Sequence, residues 1–189
     1  MDTGVMYRAM AWYAAEQGVD PLDEASLERL ALAATMRVAE DDGTVFVNGR
    51  KAPLEERRRE IDKTVSLVAR VGGVRKAMVK QQRQIAATGG IVLAGRDIGT
   101  VVAPDAPLKI YLDASDKERA LRRCKELEAQ GLKVEFQSIL TQLEGRDKMD
   151  TEREHSPLRP AGDAHIINTE GITIEQVLKK ALELTDGDQ

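Results

Sequence analysis

The sequence is poor in the side chains that form disulfides and bind transition metals. It contains one cysteine, Cys124, and two histidines, His155 and His165. A single cysteine cannot form an internal disulfide, which favours a reducing compartment, and we expect a cytoplasmic protein. Because zinc sites need several cysteine or histidine ligands, we predict that the protein itself supplies no metal-binding residues.

Long apolar runs and an excess of positive charge are also lacking. No stretch approaches the roughly 20 apolar residues that cross a bilayer, and the first residues do not have the pattern of a secretory signal. The net charge of -4 argues against a general nucleic-acid or membrane-surface binder, which is usually basic. The 42% hydrophobic and 32% charged fractions are typical of a soluble globular protein. We therefore predict one domain over residues 1–189, with no nucleic-acid or membrane partner.

The apolar residues follow helix and strand periods in turn along the chain. Helices are predicted over about 5–17, 23–34, 55–70, 74–88, 115–130, 134–153 and from about 173, and strands over 36–38, 44–47, 91–94, 108–112 and 164–168. Asn48-Gly49 is typical of a two-residue hairpin turn. Strands and helices alternate after Gly90, which predicts an α/β protein with a doubly wound parallel sheet. The helices and hairpin over about 20–88 would be an insertion over the ligand site.

The first candidate functional residues follow the predicted strand over 91–94. This strand is a continuous apolar run, and Gly95-Arg96-Asp97 comes directly after it. Ligands in doubly wound sheets lie beyond the carboxyl ends of the strands. Two charged side chains at such an end must each have an ion-pair partner or face a solvent-filled cleft. This requirement favours a functional role for Arg96 and Asp97.

A second candidate group lies on the long helix predicted over 134–153. Arg146, Asp150 and Arg153 are spaced by four and three residues, so they share one helix face. Two guanidiniums beside a carboxylate can hold a phosphate and a sugar, since arginine donates in a planar, bidentate manner to phosphate. They can equally form ordinary surface ion pairs, and the spacing alone leaves both interpretations open.

Four segments together resemble one family. DTGVMYR occupies 2–8, GRDIGTVV occupies 95–102, KIYLDAS occupies 109–115, and Arg146-Asp147 is followed by SPL at 156–158. In this order, and over essentially the whole chain, they resemble bacterial cytidylate kinase. The first two motifs are specific to that family among nucleoside monophosphate kinases. The resemblance implies a P-loop nucleoside monophosphate kinase-like fold, with a CMP-binding cap over about 20–88 and a lid over about 115–155.

The activity that the resemblance implies is phosphoryl transfer from ATP, with Mg²⁺, to CMP or dCMP. Three of the implied substrate-binding residues suit the cytosine base. Asp97 and Ser66 can accept from its N4 amino group, while Arg75 can donate to its N3 and O2 acceptors. Uracil carries a carbonyl in place of the amino group and would be repelled by the Asp97 carboxylate.

The remaining residues that the resemblance implies suit the sugar and the phosphates. Thr3, Arg8 and Asp150 are implied in substrate binding, and Asp150 suits a sugar hydroxyl. Arg96, Arg146 and Arg153 are the implied catalytic residues, since catalysis in such kinases consists of positioning and charge neutralisation. Arg122 and Arg123 lie in the part that resembles the family's mobile lid, near the ATP phosphates.

A phosphate loop of the type G-x-x-x-x-G-K-[ST] is missing from the sequence, because no glycine is followed by lysine. The family carries this loop and the first strand of its sheet before the DTG motif. We therefore expect a sheet without its first strand and little phosphoryl transfer by the chain as written. Met1 would then be an internal position of a longer kinase, which we expect to be a monomer. A non-catalytic pyrimidine-nucleotide binder, or a kinase of another small monophosphate, stays open.

Overall fold

The computed structural model describes residues 1–39 and 41–186, and these form two compact units. The first unit contains Met1–Ala103 and Arg153–Pro157, and the second contains Pro104–Glu152 and the residues from Leu158 onward. The sequence predicted one domain over 1–189, with a cap over about 20–88 and a lid over about 115–155. The assignment of a cap and a lid stays a prediction.

The first unit is mostly helical. In chain order it contains α1 (Gly4–Glu16), α2 (Glu24–Ala33), β1 (Met36–Val38), β2 (Val45–Val47), β3 (Arg50–Lys51), α3 (Arg58–Arg70), α4 (Gly72–Ala86) and a π-helical turn (Ile98–Val102). Helix α1 is the centre of its core and packs against α3 and β2, while α2 packs against α4. Because α1 is surrounded on several sides, it buries more than the single face that its period predicts, including Met6, Met10 and Trp12.

The hairpin predicted around Asn48-Gly49 is confirmed, and it forms part of a three-stranded antiparallel sheet in the order β1-β2-β3. Asn48 and Gly49 have φ angles of 49° and 78°, the left-handed conformations that a tight turn of this kind requires. Val45 and Val47 point into the core on alternate positions of β2, as one buried sheet face requires.

The prediction of a strand over 91–94 is wrong. Only Ala94 forms a bridge, a parallel one with Asp2, and the Met1 amino group donates to the Val92 carbonyl at 2.5 Å. The run is not buried either, since Val92 is 83% exposed. A strand needs a neighbour along several residues to pair its backbone groups, and the short segment 1–3 provides too few.

The second unit contains the parallel part of the fold. Its elements are β4 (Ile110–Asp113), α5 (Asp116–Ala129), α6 (Phe136–Glu152), β5 (His165–Asn168) and α7 (Ile174–Asp186). Strands β4 and β5 pair in parallel with Ile110 opposite His165. Among the described residues, the predicted doubly wound sheet is thus reduced to this pair and the bridge at Ala94.

Local sequence signals account for the helix ends of the second unit. The Glu118 backbone N–H donates to the Ser115 hydroxyl at 3.3 Å and so caps α5. Thr173 and Gln176 bond reciprocally at the start of α7, at 2.8 and 3.3 Å. Both caps confirm the predicted starts. None of the helices described has both the length and the apolar character needed to cross a bilayer.

Candidate functional site

The most deeply buried charges of the first unit are an arginine and an aspartate from distant parts of the sequence. Arg75 lies in the first turn of α4, and Asp97 directly precedes the π-helical turn. Arg75 Nη2 lies 2.5 Å from Asp97 Oδ2, with side-chain exposures of only 4% and 5%. Arg75 Nη1 also donates to the Ala69 carbonyl at 3.2 Å. Two buried charges persist because each compensates the other.

Tyr7 of α1 lies against this ion pair. The Cζ atom of Arg75 is 5.1 Å from the centroid of the Tyr7 ring, which is a cation–π contact. Burial raises the pKa of Tyr7 to about 12, and the charge of Arg75 acts against this increase. The phenol is therefore neutral at physiological pH and can donate a hydrogen bond.

Thr3 and Gly95 form a close backbone contact beside Asp97. The Thr3 backbone N–H and hydroxyl both donate to the Ala94 carbonyl, at 2.9 and 3.0 Å. A Cβ atom on Gly95 would lie 2.3 Å from the Thr3 hydroxyl oxygen, so only glycine fits at this position. The predicted substrate-binding residue Thr3 is thus part of the scaffold that holds the segment 94–97.

Arg8 of α1 forms an ion pair with α3, the helix that also carries Ser66. Arg8 Nη1 lies 2.6 Å from Asp62 Oδ1, and both side chains are partly open to solvent. Ser66 is half-buried and lies one helical turn after Asp62. Arg8 is therefore held by a carboxylate that a stronger anion, such as a phosphate, could replace.

Arg96 and Arg153 complete the predicted residues of the first unit. Arg96 is half-buried beside Asp97. Arg153 lies one residue beyond the end of α6, and its Nε donates to the Ser156 carbonyl at 2.5 Å. Its charge acts to lower the pKa of Tyr7, so Arg153 lies in the surroundings of Tyr7.

Arg146 and Asp150 lie on α6 in the second unit, separated by one helical turn. The backbone N–H of Leu158 donates to the Asp150 carbonyl at 2.8 Å, which holds the returning chain against the end of the helix. Because α6 ends at Glu152, the helix face predicted for three residues contains Arg146 and Asp150 but not Arg153.

Arg122 and Arg123 lie on α5 and have partners within the second unit. Arg122 donates to both oxygens of Thr169, the residue that follows β5, and its Nε donates to Glu118 at 3.0 Å. Arg123 pairs with Glu126 at 3.0 Å. In this structure Arg122 ties α5 to the end of β5, and the role of both residues towards ATP phosphates stays a prediction.

Comparison with known proteins identifies the family. A family model described as cytidylate kinase matches residues 1–186. This chain belongs to the cytidylate kinase family. The resemblance found in the sequence motifs is thereby confirmed, and family membership implies an α/β fold of the nucleoside monophosphate kinase type.

Individual relatives agree with this assignment. The cytidylate kinase of Pelotomaculum thermopropionicum is 46% identical over 182 residues, which cover 95% of this chain and 80% of that protein. The cytidylate kinase of Bacillus subtilis is 42% identical over 188 residues, which cover 98% and 84%. A bifunctional pantoate ligase/cytidylate kinase of Synechococcus sp. (strain JA-2-3B'a(2-13)) is 44% identical, and the match covers 97% of this chain but 35% of that protein.

The sequence analysis missed Tyr7, which contacts Arg75, and Gln82, which lies next to Tyr7. Tyr7 belongs to the DTGVMYR motif, but no role was predicted for it, although a large aromatic residue on a core helix is usually buried. Gln82 on α4 is 0% exposed, and neither of its amide atoms has a hydrogen-bond partner in the part of the chain described. The available signal was spacing, since Gln82 lies seven residues, or two turns, after Arg75 on the same helix face.

Proposed function

We propose that this cytidylate kinase family member transfers the terminal phosphoryl group of ATP to CMP or dCMP, giving CDP or dCDP. The observation that carries the proposal is the buried pair of Arg75 and Asp97. A guanidinium has five N–H donors and a carboxylate about four acceptor positions, so the single bond between them leaves capacity on both partners. This pair can therefore bind a flat ligand that offers donors and acceptors on one edge.

Cytosine matches this capacity. Its amino group would donate to Asp97, with Ser66 as a further acceptor, while its N3 and O2 would accept from Arg75. Uracil presents a carbonyl oxygen where cytosine has the amino group, so it would place an acceptor against a carboxylate. A buried acceptor facing a carboxylate has no hydrogen bond, and we infer that UMP is a much poorer substrate.

The phosphoryl transfer itself is assigned to the arginines. Arg8, Arg96, Arg146 and Arg153 would hold the acceptor phosphate and neutralise the charge that shifts during transfer, and Asp150 would bind the sugar. ATP would enter as its Mg²⁺ complex, a second substrate whose phosphates carry most of the metal's contacts. Among the described residues, no group of three or more potential metal ligands lies together. Arg122 and Arg123 are proposed to contact the ATP phosphates, and Thr3 to support the acceptor site.

The phosphate loop that the sequence lacks raises the alternative of binding without transfer. A non-catalytic binder would still use Arg75 and Asp97 but would release no ADP. The comparisons do not support inactivity, because cytidylate kinases align with 95% and 98% of this chain. We further propose a cytoplasmic monomer, on the grounds of the lone Cys124 and the absence of any other partner signal in the sequence.

The proposal is tested with Asp97→Asn, which removes the charge and keeps the shape. We expect calorimetry to show that the unmodified chain binds CMP more tightly than UMP and that Asp97→Asn abolishes this preference. Asp105→Asn, in an exposed loop, is the matched control. A coupled assay of ADP release separates the two alternatives, since saturable CMP binding with no ADP release would contradict phosphoryl transfer. An unchanged ratio of the CMP and UMP dissociation constants in Asp97→Asn would contradict the proposed recognition of cytosine by Asp97.

A further inference from the structure

Three buried polar groups at or near Tyr7 have no hydrogen-bond partner among the residues that the structure describes. They are the Tyr7 hydroxyl, the Arg75 Nε and the whole amide of Gln82. An apolar side chain at position 82 would avoid the free-energy cost of burying an unbonded amide. A buried glutamine without a well-aligned hydrogen bond adds little to the stability of α4, so its presence points to another role.

The three groups are arranged in a row. Gln82 lies next to the Tyr7 hydroxyl, and its amide acts to lower the pKa of the phenol, although the two groups do not form a well-aligned hydrogen bond. The face of the Tyr7 ring lies 5.1 Å from Arg75 Cζ. Arg75 in turn contacts Asp97 at 2.5 Å. A shift of Gln82 would thus reach the ion pair through the Tyr7 ring.

We propose that Tyr7 and Gln82 are positioning residues for Arg75: Gln82 fixes the hydroxyl end of the Tyr7 ring, and the ring face fixes the plane of the Arg75 guanidinium beside Asp97. This inference rests on the proposed function, in which the Arg75–Asp97 pair selects the nucleobase. Neither Tyr7 nor Gln82 has to touch the nucleotide for this effect.

The positioning has a definite physical basis. Arginine has many rotamers, and fixing them costs conformational entropy. Two bonds, to Asp97 and to Ala69, hold the terminal nitrogens of Arg75, but they leave its plane free to tilt. An aromatic face against the guanidinium removes this freedom before a ligand binds. Without the ring, Arg75 would lose its alignment with N3 and O2 of a base, while contacts to the phosphate would remain.

The test measures the dissociation constants of CMP and UMP by calorimetry for Tyr7→Leu, Tyr7→Phe and Gln82→Leu. Tyr7→Leu removes the ring, so CMP binding should weaken about tenfold, with a smaller change for UMP. Tyr7→Phe and Gln82→Leu should each weaken CMP binding about threefold. Their double variant should be no weaker than either alone, because both remove the same contact. Tyr13→Leu and Gln84→Leu, on the same two helices, are the matched controls.

A purely structural role predicts a different result. In that case the urea midpoint of unfolding would change, while the dissociation constants and the CMP/UMP ratio of the folded protein would equal those of the unmodified chain. That outcome would overturn the inference. If Tyr7→Leu does not fold, Tyr7→Phe and Gln82→Leu decide the question, since each removes the polar group and keeps an apolar side chain of similar size.

A second measurement needs no nucleotide and separates this inference from the proposed function. The NMR signal of the Arg75 Nε–H group, assigned with Arg75→Lys, should shift in Tyr7→Leu and Gln82→Leu but not in the two controls. A signal that stays in place in both variants would refute the positioning. If the Arg75 signal shifts in both variants but the unmodified chain binds no CMP, the proposed function is contradicted and the positioning stays supported.

Discussion

In the first unit, we expect substitutions of Arg75 or Asp97 to lower the free energy of unfolding more than other single substitutions of charged residues. Removing one partner of a buried ion pair leaves an uncompensated charge, which costs about 3–5 kcal/mol. We expect Asp97→Asn to lower the free energy of unfolding in urea by this amount, and Arg75→Met with Asp97→Leu to recover most of it. Asp62→Asn removes the partner of Arg8 in an exposed pair and should cost less than about 1 kcal/mol. Equal losses for Asp97→Asn and Asp62→Asn would contradict the burial argument.

Tyr7 makes the stability depend on alkaline pH. Its pKa is raised from 10.0 to about 12 in the folded protein, chiefly by burial. The unfolded chain therefore loses this proton first, so the stability from Tyr7 is complete below about pH 10 and is lost as the pH rises towards 12. The free energy of unfolding should fall by up to about 1.4 kcal/mol per pH unit in that window. Tyr7→Phe should remove this component in urea titrations at pH 9.5–11.5, whereas Tyr13→Phe on the same helix should retain it.

At the scale of elements, the start of α4 depends on two adjacent glycines that are not equivalent. A Cβ atom on Gly72 would lie 2.5 Å from Cδ2 of the His155 ring, while one on Gly73 would lie 2.2 Å from Cδ of Glu28. The exposed Glu28 side chain can swing away. His155 belongs to the segment Arg153–Pro157, whose backbone would have to move with it.

We therefore expect Gly72→Ala to destabilise the protein by about 1–3 kcal/mol, as overpacking does. Gly73→Ala should be neutral or slightly stabilising, because alanine is the better helix former. Urea unfolding of the two variants compares the same substitution at neighbouring positions. Adding His155→Ala to Gly72→Ala should restore the lost stability, and a failure to do so would show that the ring is not the obstacle.

Prediction from sequence succeeded for elements whose signal is local. The hairpin turn at Asn48-Gly49 and the caps at Ser115 and Thr173 depend on residues within four positions, and all three are confirmed. The apolar run over 91–94 has the composition of a buried strand, yet it forms only a bridge. The composition of a segment shows that it suits a strand, whereas a ladder of backbone hydrogen bonds also needs a neighbouring strand of sufficient length.

At the scale of the whole molecule, the division into two units was not predicted from the sequence. The chain passes from the first unit to the second after Ala103, returns at Arg153 and leaves again after Pro157. Four of the six prolines, Pro104, Pro107, Pro157 and Pro160, lie at or near these points, but they form no continuous linker. The units are defined by contacts between distant residues, and local composition carries little information about such contacts.

The sequence by itself determined the family, the helices and the hairpin, whereas the roles of the candidate site residues stay predictions. Family motifs and helical periods are patterns of residues close together in the sequence, so they can be recognised without a structure. Only the tertiary structure decided that Arg75 pairs with Asp97, 22 positions away, that the Tyr7 ring lies against Arg75, and that Gln82 lies next to the Tyr7 hydroxyl. It also decided that 91–94 is not a strand. Each of these facts depends on which neighbour reaches a group in space, and packing of the whole core settles that.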